Sequence, residues 1–254
     1  MKIGMIGRGA IARYVTAGLA ERVHFVGAVL VRSGASGPRD VTSVADLPRD
    51  LDLVIDCAGH TALAAHGPAI LARGQDVLSL SLGALADPGT EAALRDAAVR
   101  GGSRLHLTSG AIGALDALSA ARVGTLDSVT YTGRKPPAGW AGSPAEDRLD
   151  LSALTEAATH FEGSARQAAL AYPKNANVAA AVALAGLGFD ATQVRLIADP
   201  GIQQNVHEVT AEGAFGSFTF RIDGHALPDN PRSSALAAMS VLAKLDQMTA
   251  RISL

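Results

Sequence analysis

Lys2-Ile3-Gly4-Met5-Ile6-Gly7-Arg8-Gly9-Ala10-Ile11-Ala12 runs from an apolar segment through two glycines into a helical pattern. Its reading decides the fold. Gly7 permits a tight turn after a strand, and Gly9, lacking a Cβ, lets a pyrophosphate approach the backbone. Ala12 stands where a third glycine is usual and is small enough for the helix to pack close on the strand. The amides that open the helix expected from Ile11 to about Leu19 are placed to face phosphates, where the helix dipole favours negative charge, and Ala10 and Ile11 join the two glycines as candidate cofactor-binding residues. A Gly-x-Gly-x-x-Gly/Ala pattern alone is weak, since a glycine turn can bind nothing. Here it follows a strand and precedes a helix, the context that a dinucleotide-binding turn requires.

Working outward, Phe25 to Val31 reads as a second buried parallel strand, apolar on both faces. It ends at Arg32-Ser33, where an acid would bind a ribose 2′-hydroxyl and an arginine accommodates a 2′-phosphate. These residues lean toward NADP or toward use of both cofactors; a solvated arginine at a strand end is the alternative. A short strand near Val41 and further strands at Leu53 to Ala58, Asp76 to Ser81 and Arg104 to Thr108 follow. Helices from about Ala62 to Arg73 and from about Thr90 to Arg100 lie between them. The alternation predicts a Rossmann-type doubly wound parallel sheet, with ligands at the carboxyl ends of the strands. Gly59-His60, Ser81-Leu82-Gly83 and Thr108-Ser109-Gly110 fall at those ends.

The pattern changes after Ser109. A helix is expected over Ala114 to Val123, and alternating strands of antiparallel character begin at Ser128 to Thr132. The stretch from Leu151 to Asn175 reads as loop and helix, and Asn177 to Leu187 as an alanine-rich helix. Strands are expected over Thr192 to Ile197, Asn205 to Glu212 and Gly216 to Ile222. Pro228-Asp229-Asn230-Pro231 reads as a sharp turn before a final amphipathic helix, Ser234 to about Arg251. The fold class is therefore α/β, a Rossmann domain plus a second, smaller α/β domain of mixed sheet. The expected boundaries are 1–110 for the dinucleotide-binding domain, completed by the C-terminal helix 231–254, and 111–230 for a substrate and dimerisation domain.

Composition bounds the function. A length of 254 residues suits one large or two modest domains of roughly 100 to 200 residues each. With 22 basic and 24 acidic residues and no run of like charge, neither nucleic acid nor an anionic membrane is the expected partner. A single cysteine, Cys57, excludes an internal disulfide, leaves no thiol cluster for zinc and fits a cytoplasmic protein. No uninterrupted apolar stretch reaches the roughly 18 to 20 residues of a membrane span. Patterns for metal hydrolysis, serine hydrolysis and phosphoryl transfer are absent, and no metal is expected.

Three polar groups in the second half stand out. Tyr172-Pro173-Lys174-Asn175-Ala176-Asn177 sets a lysine and two amides before a helix, suiting a carboxylate; helix capping is the alternative. His207 lies on a predicted strand with Asn205 on the same face, and it is the best general base on local context among the seven histidines. Arg134-Lys135, after Tyr131-Thr132, is a second place to grip an anion, or simply a solvated strand end. His60 and His106 also lie near strand ends, and His60 is the second choice.

In this order, the motifs resemble those of the L-aspartate dehydrogenase family over nearly the whole length. They are Gly7 to Ile11, Ser109 to Ala117, Thr132 to Pro137, Glu162 to Ala165, Tyr172 to Ala180, Ala198 to Pro200, Asn205 to Glu208 and Asn230 to Ser234. The resemblance implies NAD(P)-dependent oxidation of L-aspartate to iminoaspartate, then oxaloacetate and ammonium, linked to early nicotinamide biosynthesis, usually in a homodimer. It matches His207 to the family's active-site histidine, and Ala111 and Asn177 to positions contacting the dinucleotide. Lys174, Asn175 and Ser109 are the candidates for holding the substrate carboxylates. Ala12 for the third glycine, and the missing acid after the second strand, depart from the usual pattern and leave NAD against NADP open. Another two-domain dehydrogenase, acting on a semialdehyde, sugar or cyclic imine, and a noncatalytic dinucleotide sensor are the competing readings.

Overall fold

The opening stretch folds as β1 (Lys2–Ile6) and α1 (Ala10–Glu21) in a computed structural model of the chain. The structure describes all residues except 35, 174, 176, 228, 229, 253 and 254, together with the side chains of 231 and 232. The chain divides into two units, one of Met1–Thr108 with Ala237–Leu254 and one of Ser109–Leu236.

The first unit continues with β2 (Phe25–Leu30), β3 (Asp40–Val41), β4 (Leu53–Asp56), α2 (His60–Ala72), β5 (Val77–Ser79), α3 (Pro88–Gly101) and β6 (Leu105–Leu107). Its six strands are parallel in the order β3-β2-β1-β4-β5-β6. The order reverses beside β1, which puts the glycine turn at the switch point where such sheets bind ligands. Ile3, Met5, Leu53, Ile55 and Leu78 from the strands pack with Val15 and Leu19 of α1.

The second unit contains α4 (Leu115–Ala121), β7 (Leu126–Lys135), β8 (Ala158–Ser164), α5 (Ala165–Ala171), α6 (Asn177–Ala185), α7 (Gly188–Ala191), β9 (Gln193–Ala198), β10 (Asn205–Gly213), β11 (Gly216–Gly224), β12 (Ala226–Leu227) and β13 (Asn230–Ser234). Its main sheet has the order β11-β10-β7-β9-β8, with β7 and β9 parallel and the other neighbours antiparallel.

Helix α8 (Ala235–Thr249) closes the chain, and its Val241, Leu242 and Leu245 join the core of the first unit. The close approach of α8 to α1 depends on Gly18, where a Cβ would lie 2.3 Å from Leu242 Cδ1.

Two expectations need correction. The stretch read as loop and helix contains strand β8, whose one neighbour is β9 and whose sequence, Ala-Thr-His-Phe-Glu-Gly-Ser, lacks the apolar alternation of an inner strand. The C-terminal helix starts at Ala235, one residue after the Ser234 expected from its amphipathic pattern but four after the 231 of the domain boundary. Residues Asn230–Ser234 are held extended by pairing with β12, and the Ala235 amide donates to the His225 carbonyl at 3.0 Å. The first half of the expected Pro228–Pro231 turn lies outside the described residues. Among the described residues no helix is long and apolar enough to cross a membrane.

Candidate active site

Gly7 adopts φ +90°, its amide donates to Leu30 O at 3.0 Å, and a Cβ there would lie 2.9 Å from Ala58 Cβ. Only glycine satisfies both demands. Gly9 caps α1 with no side-chain bond, and a Cβ on it would meet nothing within 4 Å. The space a Cβ would fill, together with helix-opening amides that lack intrahelical acceptors, fits a dinucleotide pyrophosphate. Ala12 is buried, as a close-packed third position requires.

The neighbouring strand end is braced by Asp56, the fully buried last residue of β4. Its carboxylate accepts from Ala58 N at 2.9 Å, Ser79 Oγ at 2.7 Å and Ser81 Oγ at 2.6 Å. Arg32 and Ser33 are exposed after β2. The sequence reading passed over Arg8, whose guanidinium pairs with the Asp40 carboxylate and donates to Ser36 Oγ at 3.3 Å. Asp40 also accepts from the amides of Ser36 and Gly37, each at 2.8 Å. The nearest acid after β2 is thus already engaged by this chain.

In the second unit, His207 sits in β10 opposite Gly133 of β7. It is 4% exposed, and its Nδ1 lies 2.8 Å from the hydroxyl of fully buried Tyr131. Gly133 makes that bond possible, because a Cβ there would stand 2.6 Å from the Tyr131 oxygen. Among the described residues Nε2 has no hydrogen-bond partner. Burial first, and then the charge of Lys135, lower the His207 pKa to about 4, so the imidazole is neutral around pH 7.

The ladder continues to Val206 opposite Arg134, leaving Asn205 and Lys135 as the next residues on the face of His207 and Gly133. The sequence alternatives for Arg134-Lys135 resolve differently for each residue. Arg134 pairs with Asp199 at 2.7 Å. Lys135 is buried, its ammonium donates to Asn175 Oδ1 at 2.7 Å, and it stands 4.8 Å from the centre of the Trp140 ring. Burial lowers its pKa to about 8. Trp140 is fixed by a bond from Nε1 to Ile197 O at 2.9 Å and packs edge-on against His160. His160 Nδ1 lies 3.2 Å from the Tyr172 hydroxyl. Its pKa is lowered to about 4 by burial, then by Arg148 and Lys135.

The remaining candidates are more scattered. Asn175 touches Lys135, Asn177 opens α6, Ala111 is buried, and Ser109 is exposed beside Gly110, which has φ +66°. Lys174 lies outside the described residues. His106 lies 3.0 Å from Asp76, and His60 begins α2. Among the described residues no group of three or more His, Cys, Asp or Glu is placed to hold a metal ion.

Residues 5–108 match the NAD binding domain of homoserine dehydrogenase, and residues 116–248 match the C-terminal domain of aspartate dehydrogenase. The chain belongs to the L-aspartate dehydrogenase family. It is 58% identical to the L-aspartate dehydrogenase of Ruegeria pomeroyi, with 99% of this chain and 94% of that one covered. A second L-aspartate dehydrogenase, from Cupriavidus necator, is 48% identical over the full length of both chains. The crystal structure of aspartate dehydrogenase from Thermotoga maritima superposes with a TM-score of 0.79 at 27% identity, covering 100% of this chain and 99% of that one. Membership of the aspartate dehydrogenase family accounts for the NAD(P)-binding first unit and for the motifs that run through the second.

Proposed function

We propose that this chain is an NAD(P)-dependent L-aspartate dehydrogenase, an oxidoreductase acting on the CH–NH2 group. L-Aspartate is oxidised at Cα to iminoaspartate, which water converts to oxaloacetate and ammonium. The observation that carries the reading is His207, a buried and neutral imidazole with Tyr131 at Nδ1 and no partner at Nε2 among the described residues.

Aspartate arrives with a protonated amine, and Cα cannot lose its hydrogen with the bonding pair until nitrogen has a lone pair to share. His207 Nε2 takes that proton. With Nδ1–H donating to Tyr131 Oη, the ring presents Nε2 as acceptor, and it becomes a donor at both nitrogens once charged. The bound nicotinamide supplies the hydride acceptor. After its proton has passed to solvent, the same imidazole assists the water that adds to the imine carbon. Gly7, Gly9 and the amides of Ala10 and Ile11 hold the pyrophosphate, and Arg32 and Ser33 meet the adenosine ribose. Ala111 and Asn177 contact the dinucleotide, while Asn175 and Ser109 are the described candidates for holding the substrate carboxylates. Asp40 is committed to Arg8, so the end of β2 suits a 2′-phosphate as well as a 2′-hydroxyl. We assign the enzyme to the cytoplasm as a homodimer, with its iminoaspartate serving early nicotinamide biosynthesis.

The test is to mix the protein with oxaloacetate and ammonium and follow the absorbance of NADH and NADPH in parallel. Oxidation that needs both oxaloacetate and ammonium is expected. Oxidation without ammonium identifies a hydroxy-acid dehydrogenase, and cofactor binding without turnover identifies a sensor.

A further inference from the structure

Lys135 is a buried cation without an anionic partner among the described residues. An ammonium carries three donor hydrogens, and among the described residues one partner is found, the neutral Asn175 amide oxygen, with the Trp140 ring on another side. Burying such a charge unpaired is unfavourable enough that proteins ordinarily supply a carboxylate. None is present. The ionisable groups whose charge it feels are His207 of β10 and His160 of β8, both held neutral near pH 7; Tyr131, four residues back along β7, has a phenol that burial keeps protonated. Arg134 and Asp199 neutralise one another. Gly139 closes the remaining wall, where a Cβ would stand 3.2 Å from Lys135 Cβ and 3.4 Å from Cδ. A ligand carboxylate would supply the counter-charge.

Strand geometry sets the scale. Lys135 is two residues from Gly133, the partner of His207, a displacement of about 7 Å along one face. A four-carbon acid reached by two side chains spans that distance.

Resting on the reaction proposed above, we infer that Lys135 binds the side-chain carboxylate of the four-carbon substrate, with Asn175 orienting the ammonium and Trp140 and Gly139 forming the walls. Lys135 thereby selects dicarboxylates over amino acids and oxo acids of similar length that lack the second charge. The Asn175 amide releases or shares one ammonium hydrogen when the carboxylate arrives, and the Trp140 face holds the lysine stem in place.

The test compares wild type with Lys135→Met and Lys135→Arg in the reductive direction. KM for oxaloacetate should rise about 100-fold in the methionine variant, as expected for loss of one partner of a buried charge pair. The dissociation constant for NADH should stay within about twofold, and the arginine variant should recover part of the loss. Succinate, which reads binding without turnover, should raise the melting temperature of wild type and not of Lys135→Met. The methionine variant itself should melt at or above wild type, which separates a lost anion site from a lost fold. A KM within about threefold of wild type, or an undiminished succinate shift in Lys135→Met, overturns the inference while the reaction stands. Wild type that does not turn over oxaloacetate with ammonium overturns the reaction and this inference with it.

Discussion

Asp56 and Lys135 are each the last residue of a strand, each buried and each ionisable, yet their surroundings are opposite. Asp56 at the end of β4 accepts three hydrogen bonds from its own unit and lacks nothing. Lys135 at the end of β7 has, among the described residues, one neutral acceptor and an aromatic face. The difference separates a brace from a receptor. A buried charge whose bonds are all met inside the protein holds strand ends in register, whereas one left short is completed by what binds. His207 belongs with Lys135, since one of its two nitrogens is engaged and the other has no partner among the described residues.

The largest effect should come from the second region. His207→Ala is expected to lower kcat by about 10²- to 10⁴-fold, the usual range for a lost general base. The dissociation constants for NADH and NADPH, read by fluorescence titration, should change less than about twofold. Retained turnover would remove the imidazole from the chemistry and return His207 to the class of braces.

The converse substitution tests the first region. Asp56→Ala leaves two serine hydroxyls and an amide without their acceptor, and it should destabilise the fold by about 3 kcal/mol in urea unfolding. Because loop 57–59 hangs on that carboxylate, cofactor affinity should fall along with stability. A loss of affinity with no loss of stability would mean that Asp56, too, is incomplete without a ligand.

Linkage gives a third test that needs no substrate. The Lys135 pKa is about 8 in the folded chain against 10.5 for an ordinary lysine, so between those values the unfolded chain binds the proton more strongly. Stability of the ligand-free protein should therefore rise from about pH 8 to about pH 10.5, by at most about 3 kcal/mol for this group. Lys135→Met should lack this rise and start from the higher level. A saturating dicarboxylate should flatten the wild-type curve by keeping the ammonium charged. If wild type and Lys135→Met show the same pH dependence, the lysine is solvated in solution.

The first region was the more legible in the sequence because its signals are local. A glycine turn between an apolar strand and a helix has one sensible geometry, and continuous apolar runs such as Leu53-Val54-Ile55 announce strands buried on both faces. The second region depends on contacts between distant residues. Lys135 reads as one of two basic residues at a strand end, and its burial comes from Trp140, Gly139 and Asn175, none of which marks the lysine in advance. Tyr131 reads only as part of an alternating strand, and its tie to His207 depends on the β7–β10 register. Strand β8 was missed because an edge strand with one neighbour need not alternate. Arg8 was passed over inside a motif whose glycines drew the reading, although a basic residue in that turn could have prompted a search for its acid.

The smallest predicted effect probes whether Tyr131 positions His207 or merely packs beside it. Tyr131→Phe removes the hydroxyl and leaves the ring, so packing is nearly conserved while Nδ1 loses its partner. A net hydrogen bond of about 1 to 1.5 kcal/mol corresponds to a loss of about 5- to 10-fold. The loss should fall on kcat, with KM for oxaloacetate unchanged, because the hydroxyl touches the base and not the substrate. Gly133→Ala reaches the same bond from the other side. Its Cβ would press 2.6 Å from the Tyr131 oxygen and 3.2 Å from Leu196 Cδ2, so the ring must shift or the strands must part. If the ring shifts, Gly133→Ala lowers kcat as Tyr131→Phe does, and the double variant loses no more than either alone. If the strands part, the losses add and KM rises with them, because Lys135 lies two residues further along the same strand. Unchanged kcat in Tyr131→Phe would place the tyrosine with Asp56, as a group whose bond holds the fold and leaves the chemistry alone.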